Sequence, residues 1–534
     1  MKADLVLRGG RIFTARTREP FVNALAVSGD RIVATGSDAE ELIDSRTRVI
    51  DLEGALATPG FIDAHVHPGT SGLDKLRCNF DDAHDAETAV AAVASYAEAN
   101  PDVPWILGAG WSSSWFANAC PSKELLDSVV ADRPVLLPNT DGHGAWANSK
   151  ALEIAGIDER TPDPADGRFE RYADGSPQGT LHEGAFDVVM AFAPQDTVED
   201  FVAGLLRGQD ELLRYGITGW QDANVGDTMH EAYLRISGDD RLRGRVVGAM
   251  WWDRQKGLEQ VDDLVERRRH GADRFRPSSV KLMLDGVAEN FTAAMLEPYF
   301  GENGMATANS GIDFIDPAQL REIVTRLDAE GFQCHFHAIG DRAVRNALDA
   351  VEAARERNGP STNRHHIAHI QVVHPDDVPR FAALDVVANA QPLWANNDEY
   401  QTELTIPYIG PRRASWQYPF ESLRREGARL AMGSDWGVST ANVMEEIHVA
   451  VTRTWSSDQD PFVPAEALSP VDALNAFTAG SAYVNHAEGD SGSVAVGMLA
   501  DLAVLDRDPL RDGSFRDARV VTTIVGGQVV FEGP

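Results

Sequence analysis

The 534-residue sequence predicts an α/β protein built on a (β/α)8 barrel of the TIM type, and three features carry that expectation. Eight short apolar runs alternate with helical stretches through the middle of the chain, the pattern that closes a parallel barrel. Both ends are instead rich in short alternating strands punctuated by glycine pairs. The interval from Gly69 to about Thr197 is too long for one β-to-α connection and carries a strand pattern of its own.

The first 57 residues read as strands between turns, among them Leu5–Leu7, Arg11–Phe13, Ala24–Val27 and Arg31–Ala34. The last 46 resemble them, with a strand at Asp501–Asp506 and a hairpin at Thr523–Phe531 around Gly526-Gly527, matched by an expected hairpin from Leu5 to Phe13 around Gly9-Gly10. Neither end has enough apolar residues to close a core alone. Residues 1–57 and 489–534 are therefore expected to form one composite β-sandwich, with the barrel domain at 58–488 and an inserted subdomain at about 70–196. The barrel strands are expected at Phe61–Val66, Ile217–Asp222, Arg245–Trp251, Ser279–Asp285, Phe332–His337, His366–Ile370, Asp385–Ala390 and Ala428–Asp435, with helices such as Thr197–Tyr215 and Pro317–Glu330 between them. The insertion includes Trp105–Trp111 and Pro134–Asn139. It is expected over the barrel mouth, where long loops carry substrate contacts.

A formal charge of −34 argues against nucleic acid and anionic membranes, both of which attract basic surfaces. Three cysteines without CxxC spacing point to a reducing compartment. The N-terminus has no apolar run of signal-sequence length and no stretch approaches 18 uninterrupted apolar residues, so a cytoplasmic protein is expected. The expected partner is a small-molecule substrate, with assembly into a homo-oligomer left open.

Candidate chemistry begins with His65 and His67. At i and i+2 of a strand their side chains share a face, and neutral imidazole is a preferred zinc ligand. Taken alone, the pair reads more readily as ordinary polar residues at a strand end, and the rest of the chain has to supply the missing ligands. Lys281 lies among Val280, Leu282, Met283 and Leu284, where an ammonium would be poorly solvated. Only six lysines stand among 48 basic residues, which weakens a chance placement. Carbon dioxide converts such an amine to a carbamate that can bridge two cations. His335 and His337 repeat the i, i+2 spacing, with His337 preferred as ligand and His335 as its support or a substrate contact. His369 ends the sixth expected strand; His365, His366 and His374 are expected at the surface or in supporting positions. Asp435 ends the eighth, where a carboxylate can bind a cation and take a proton from bound water.

With these residues goes a run of text: TPGFIDAHVH at 58–67, SVKLMLDG at 279–286, HFHAIGDRA at 335–343, HHIAHIQ at 365–371, GSDWGV at 433–438 and GMLADLAVLDRDP at 497–509. The series resembles the amidohydrolase superfamily, in the branch that includes N-substituted formamide deformylase and related hydrolases, over essentially the whole chain. The resemblance implies a two-metal centre held by His65, His67, Lys281, His337, His369 and Asp435, with carboxylated Lys281 as the bridge and zinc the usual ion. The branch usually has glutamate immediately before the sixth-strand histidine, where this chain has Ala368. Strand alternation would turn Ala368 away from His369 and leave the ligand set intact.

The expected reaction is hydrolysis of an amide-like C–N bond, N-formyl or N-acyl, by a metal-bound hydroxide, with Asp435 carrying the proton to the leaving nitrogen and His369 or His335 assisting the oxyanion. Deamination of a cyclic amidine on the same scaffold, or binding without turnover, are the alternatives. Substrate-facing candidates are Trp111, His143 and His335. Trp115 could also face the pocket, whereas packing is favoured for Glu183.

Overall fold

The computed structural model describes residues 2–533. Its centre is a nearly closed parallel barrel of eight strands in sequential order. We number these β1 (Phe61–Val66), β2 (Ile217–Val225), β3 (Arg245–Trp251), β4 (Phe275–Met283), β5 (Gln333–Ala338), β6 (His366–His369), β7 (Val387–Ala390) and β8 (Leu430–Met432). Most of their residues are buried, as expected for strands covered by side-chain layers inside and helices outside. The first and last strands meet just past β8. Asp435 N donates to His65 O (2.8 Å), His67 N to Trp436 O (2.9 Å), and Ser434 Oγ to the Asp63 carboxylate (2.5 Å). The hydrogen bonds that close the ring therefore involve residues at or next to the candidate ligands.

The helices start where the sequence supplies caps. Val198–Arg214 opens on a capping box between Thr197 and Asp200, and Pro317–Ala329 opens on Asp316, whose carboxylate accepts from the backbone of Ala318 and Gln319. The short helix Pro68–Asp74 begins immediately after His67 and lies against Val198–Arg214 at backbone contact. A Cβ at Gly72 would stand 2.0 Å from Gly204 O, so only glycine permits this approach. The contact fixes the chain directly after His67.

The inserted segment forms a six-stranded sheet in the order Gly167–Arg171, Pro177–Glu183, Gly144–Ala147, Val135–Pro138, Ile106–Ala109, Cys78–Asn79. Two further sheets are built from the chain ends. One holds Arg31–Thr35, Leu25–Ser28, Leu5–Arg8 and Arg48–Asp51. The other sets Gln528–Glu532, Val520–Val525 and Leu502–Leu505 beside Leu56–Pro59, Arg11–Phe13 and Phe21–Val22. Leu7, Val27, Ile12, Leu502 and Ile524 from both sheets share one apolar cluster. The C-terminal hairpin forms, with Val525 opposite Gln528. The hairpin expected around Gly9-Gly10 does not: Leu5–Arg8 pairs with Leu25–Ser28 and Arg48–Asp51, whereas Arg11–Phe13 pairs in the other sheet. Gly9 at φ 78° lets the chain cross between sheets, and a Cβ at Gly10 would lie 2.4 Å from Ala55 O. Among the described residues no helix is long and apolar enough to cross a membrane.

Candidate metal centre

Six side chains from the ends of five strands converge at the carboxyl end of the barrel, under a cavity of about 1010 Å³ whose lining includes His65, His67, Lys281, His337, His369 and Asp435. The Asp435 carboxylate is the hub. Its Oδ1 lies 3.3 Å from His65 Nε2 and 3.2 Å from His67 Nε2, and its Oδ2 lies 3.8 Å from His369 Nδ1. His65 Nε2, His369 Nδ1 and Asp435 Oδ1 are buried and have no hydrogen-bond partner, although ligand atoms of the three residues lie within 4.8 Å of one another. Leaving buried polar atoms unsatisfied costs about 1–3 kcal/mol each, and a divalent cation among them would remove that cost. The donor set, imidazole nitrogens and carboxylate oxygens, suits zinc.

Protonation favours the same use. Burial holds His65, His337 and His369 well below the ordinary histidine value, so their rings are neutral and can ligate. Burial also lowers Lys281 from 10.5 to about 7, leaving a substantial fraction of neutral amine. Burial works to raise the Asp435 carboxyl, but His67 at 3.2 Å and the nearby His369 and Lys281 overcome it, so it stays ionised.

Backbone strain marks the same residues. His369 (φ 74°), Asp435 (φ 53°) and Glu183 (φ 53°), all on the cavity wall, adopt left-handed conformations at about 1–3 kcal/mol each. At His369 this has a further consequence. His366 faces inward, its ring 4.0 Å from that of His335, and strict alternation would send His369 outward. The left-handed turn brings it back to the mouth. The alternation on which the orientation of Ala368 was expected to rest is therefore broken; Ala368 is fully buried.

Two residues expected to face substrate do not line the cavity. His335 sits below its floor, with Nε2 2.7 Å from His65 Nδ1, because β5 places it one inward position deeper than His337. Trp111 is 1% exposed in the core of the insertion, where its indole donates to Leu137 O (2.7 Å). Trp115 packs against that same core. His143 does line the cavity, and so does Glu183, for which packing was expected. Glu183 lies 3.0 Å from His143 Nδ1 and accepts from Thr292 Oγ1 (2.8 Å). Burial works against a charge on His143, but Glu183, Asp141 and Asp285 raise it to about 9, so an imidazolium stands beside the His337 ring. His365 and His366 are fully buried rather than superficial, and His365 Nε2 lies 3.0 Å from Asp328 Oδ1.

Sequence reasoning missed three contributors. Asp63, at i−2 from His65 and so on the same face of β1, receives hydrogen bonds from His65 N and Ser434. Strand periodicity extended back one step would have found it. Asp285 follows the β4 run and accepts from Ala294 N (2.8 Å), Ile339 N (3.1 Å) and Gly340 N (2.9 Å), which fixes the chain just beyond His337. Trp394 stacks on His369 with ring centroids 5.4 Å apart, and only the fold brings that loop to the site.

This barrel and its cluster define a metal-dependent hydrolase, and the chain belongs to the amidohydrolase family, whose sequence model matches residues 48–531. It is 29% identical to Protein LONG AFTER FAR-RED 3 of Arabidopsis thaliana, over 99% of this chain and 92% of that protein. It is 26% identical to N-substituted formamide deformylase of Arthrobacter pascens, over 99% of this chain and 98% of that enzyme. Among solved structures, an uncharacterized metal-dependent hydrolase from Pyrococcus furiosus superposes with a TM-score of 0.73 at 27% identity, over 95% of this chain and 99% of that one.

Proposed function

We propose that this protein hydrolyses a non-peptide, amide-like C–N bond of a small molecule, with N-formyl and N-acyl amines as the first candidate substrates. The observation that carries the reading is the convergence of His65 Nε2, His369 Nδ1 and Asp435 Oδ1, buried and unpartnered, beneath a cavity large enough for a small organic molecule. The formyl preference leans on the deformylase relative.

In this reading His65, His67, Lys281, His337, His369 and Asp435 would hold two divalent cations, zinc the first candidate, with Lys281 carboxylated. Such a pair, when bound, would polarise the carbonyl and lower the pKa of a bound water far below its bulk value, towards about 7. The protein's own groups do the rest. Asp435, ionised and central, accepts the proton of the attacking water and returns it to the leaving nitrogen. The His143 imidazolium, held by Glu183, offers an N–H to the carbonyl oxygen as negative charge develops there. Trp394, stacked on His369, covers that ring and limits water at the reacting bond. The two terminal sheets act as one composite β-sandwich, 1–57 with 489–534, steadying the barrel at 58–488, while the insertion at about 70–196 shapes the cavity.

The test is metal analysis of protein purified without chelator, followed by a screen of N-formyl, N-acyl and cyclic amides alongside dipeptides, detecting formate, carboxylate, amine and ammonia. The expected result is about two ions per chain and turnover of an N-formyl or N-acyl amine. Fewer than about one tightly held ion per chain, or turnover confined to dipeptides, overturns the reading.

A further inference from the structure

A second group of ligand-type side chains lies on the inserted sheet, away from the barrel cluster. Atoms of Cys120, Glu170 and His182 lie within 4.8 Å of one another. His182 is 4% exposed, and both of its ring nitrogens lack a hydrogen-bond partner. Glu170 Oε1 is 3.1 Å from His182 Nε2, yet out of line for a hydrogen bond. An imidazole this buried normally has a well-made partner for at least one nitrogen; here Nδ1 meets none and Nε2 has only the bent contact with Glu170.

The local backbone aims the three side chains at one another. Glu170 sits where the strand Gly167–Arg171 bulges against Pro177–Glu183, the register jumping between Phe169 and Arg171. Bulges of this kind redirect side chains at functional positions. Arg168 Nε donates to Glu170 Oε1 (2.8 Å) and orients the carboxylate from outside the cluster. Cys120 follows two residues in left-handed conformation, Asn118 (φ 54°) and Ala119 (φ 57°). Its carbonyl accepts from Gln178 Nε2 (3.0 Å), and the carbonyl of Pro121 accepts from Thr180 Oγ1 (2.8 Å). The cysteine is thus tied to the strand that carries His182.

We propose that Cys120, Glu170 and His182 form a second metal site that takes one borderline-soft divalent cation, zinc first among them, and clips the segment around Cys120 to the inserted sheet. One sulfur, one nitrogen and one oxygen make three legs of a tetrahedral zinc site, with the fourth position open to water. Ligand pairs around zinc stand about 3.5 Å apart, so no pair need draw in by more than about 1.3 Å from the 4.8 Å bound, and Glu170 Oε1 and His182 Nε2 already stand at 3.1 Å. Coordination replaces the thiol proton with the cation and releases one proton per ion. His182 immediately precedes Glu183, so the clip would also steady the carboxylate that holds His143. The inference does not depend on the chemistry proposed for the barrel.

The test uses the full-length protein stripped of metal and reloaded with cobalt(II), because none of the barrel ligands contains sulfur. A sulfur-to-cobalt charge-transfer band in the near ultraviolet is expected in the wild type, lost in Cys120→Ser and strongly reduced in His182→Ala, with the remaining ions unchanged. Zinc affinity in Glu170→Gln should fall by at least about tenfold, the scale on which even outer-shell partners act. Absence of the band from saturated wild type, or its survival in Cys120→Ser, overturns the site. Should Cys120→Ser not fold, alkylation of the wild type locates the metal: zinc should slow labelling of Cys120 at least about tenfold, and an unchanged rate refutes the proposal.

Discussion

The first and fifth barrel strands carry the same His-x-His pattern, and the structure puts them to different use. At the end of β1 both histidines line the cavity and approach the same oxygen of Asp435, at 3.3 and 3.2 Å. On β5 only His337 lines it; His335 lies below, 2.7 Å from His65 Nδ1 and against His366. A period of two settles which face a side chain takes but says nothing of its depth. Depth depends on where the strand ends. His67 lies past the end of β1, as the residue preceding the helix Pro68–Asp74, whereas His337 is still within β5. The layer beneath the mouth is then filled by His335, as barrel interiors are filled layer by layer.

The sharpest test of this arrangement is its hub. Asp435→Asn should lower turnover by about 10²–10⁴, the range for loss of a positioned acid–base group, and should also reduce bound metal. Next in size is the contrast within β5. His337→Ala is expected to lose metal and activity together. His335→Ala should retain metal, with affinity weakened about 10–100-fold through the loosened His65 ring, as outer-shell losses do. Metal analysis and steady-state kinetics on the two variants decide it: if His335→Ala empties the site as completely as His337→Ala, the two pairs are not used differently.

The barrel was legible because it depends on pattern. Its eight strands fall on the apolar runs, and the expected helices at Thr197–Tyr215 and Pro317–Glu330 differ from the observed ones only at their ends. The six ligand candidates, picked out as residue types at strand ends, all fall on the lining of one cavity. Depth and strain were not. Nothing in the text HHIAHIQ announces that His369 turns back through φ 74°, and nothing in Trp111 distinguishes a pocket wall from the core of an insertion. The Gly9-Gly10 pair misled because a tight turn and a crossing between sheets both require glycine. Those distinctions depend on contacts between segments far apart in the chain.

Each histidine pair also has its own buried carboxylate, and these give the smaller effects. Asp285 accepts three backbone N–H groups, two of them just past His337. Asp285→Ala leaves all three without their acceptor, at about 1–3 kcal/mol each before relaxation, and should lower the urea midpoint while weakening metal retention.

Asp63 under the β1 pair should act through pH. Burial raises its carboxyl from 3.8 to about 7, against the opposing hydrogen bonds from Ser434 and His65 N. Between those two values the unfolded chain has already released this proton while the folded protein keeps it, so the unfolded state binds fewer protons there. Stability therefore falls as pH rises through that window and levels off above about 7. The whole effect is at most about 4 kcal/mol, from about three units at 1.36 kcal/mol each. Asp63→Asn cannot titrate but can still accept from Ser434. Urea denaturation of metal-free protein across the window should show a shallower decline for Asp63→Asn than for wild type. Parallel curves would mean that Asp63 is ionised in the fold, with the charge held by Ser434 and the β1 backbone rather than suppressed by burial.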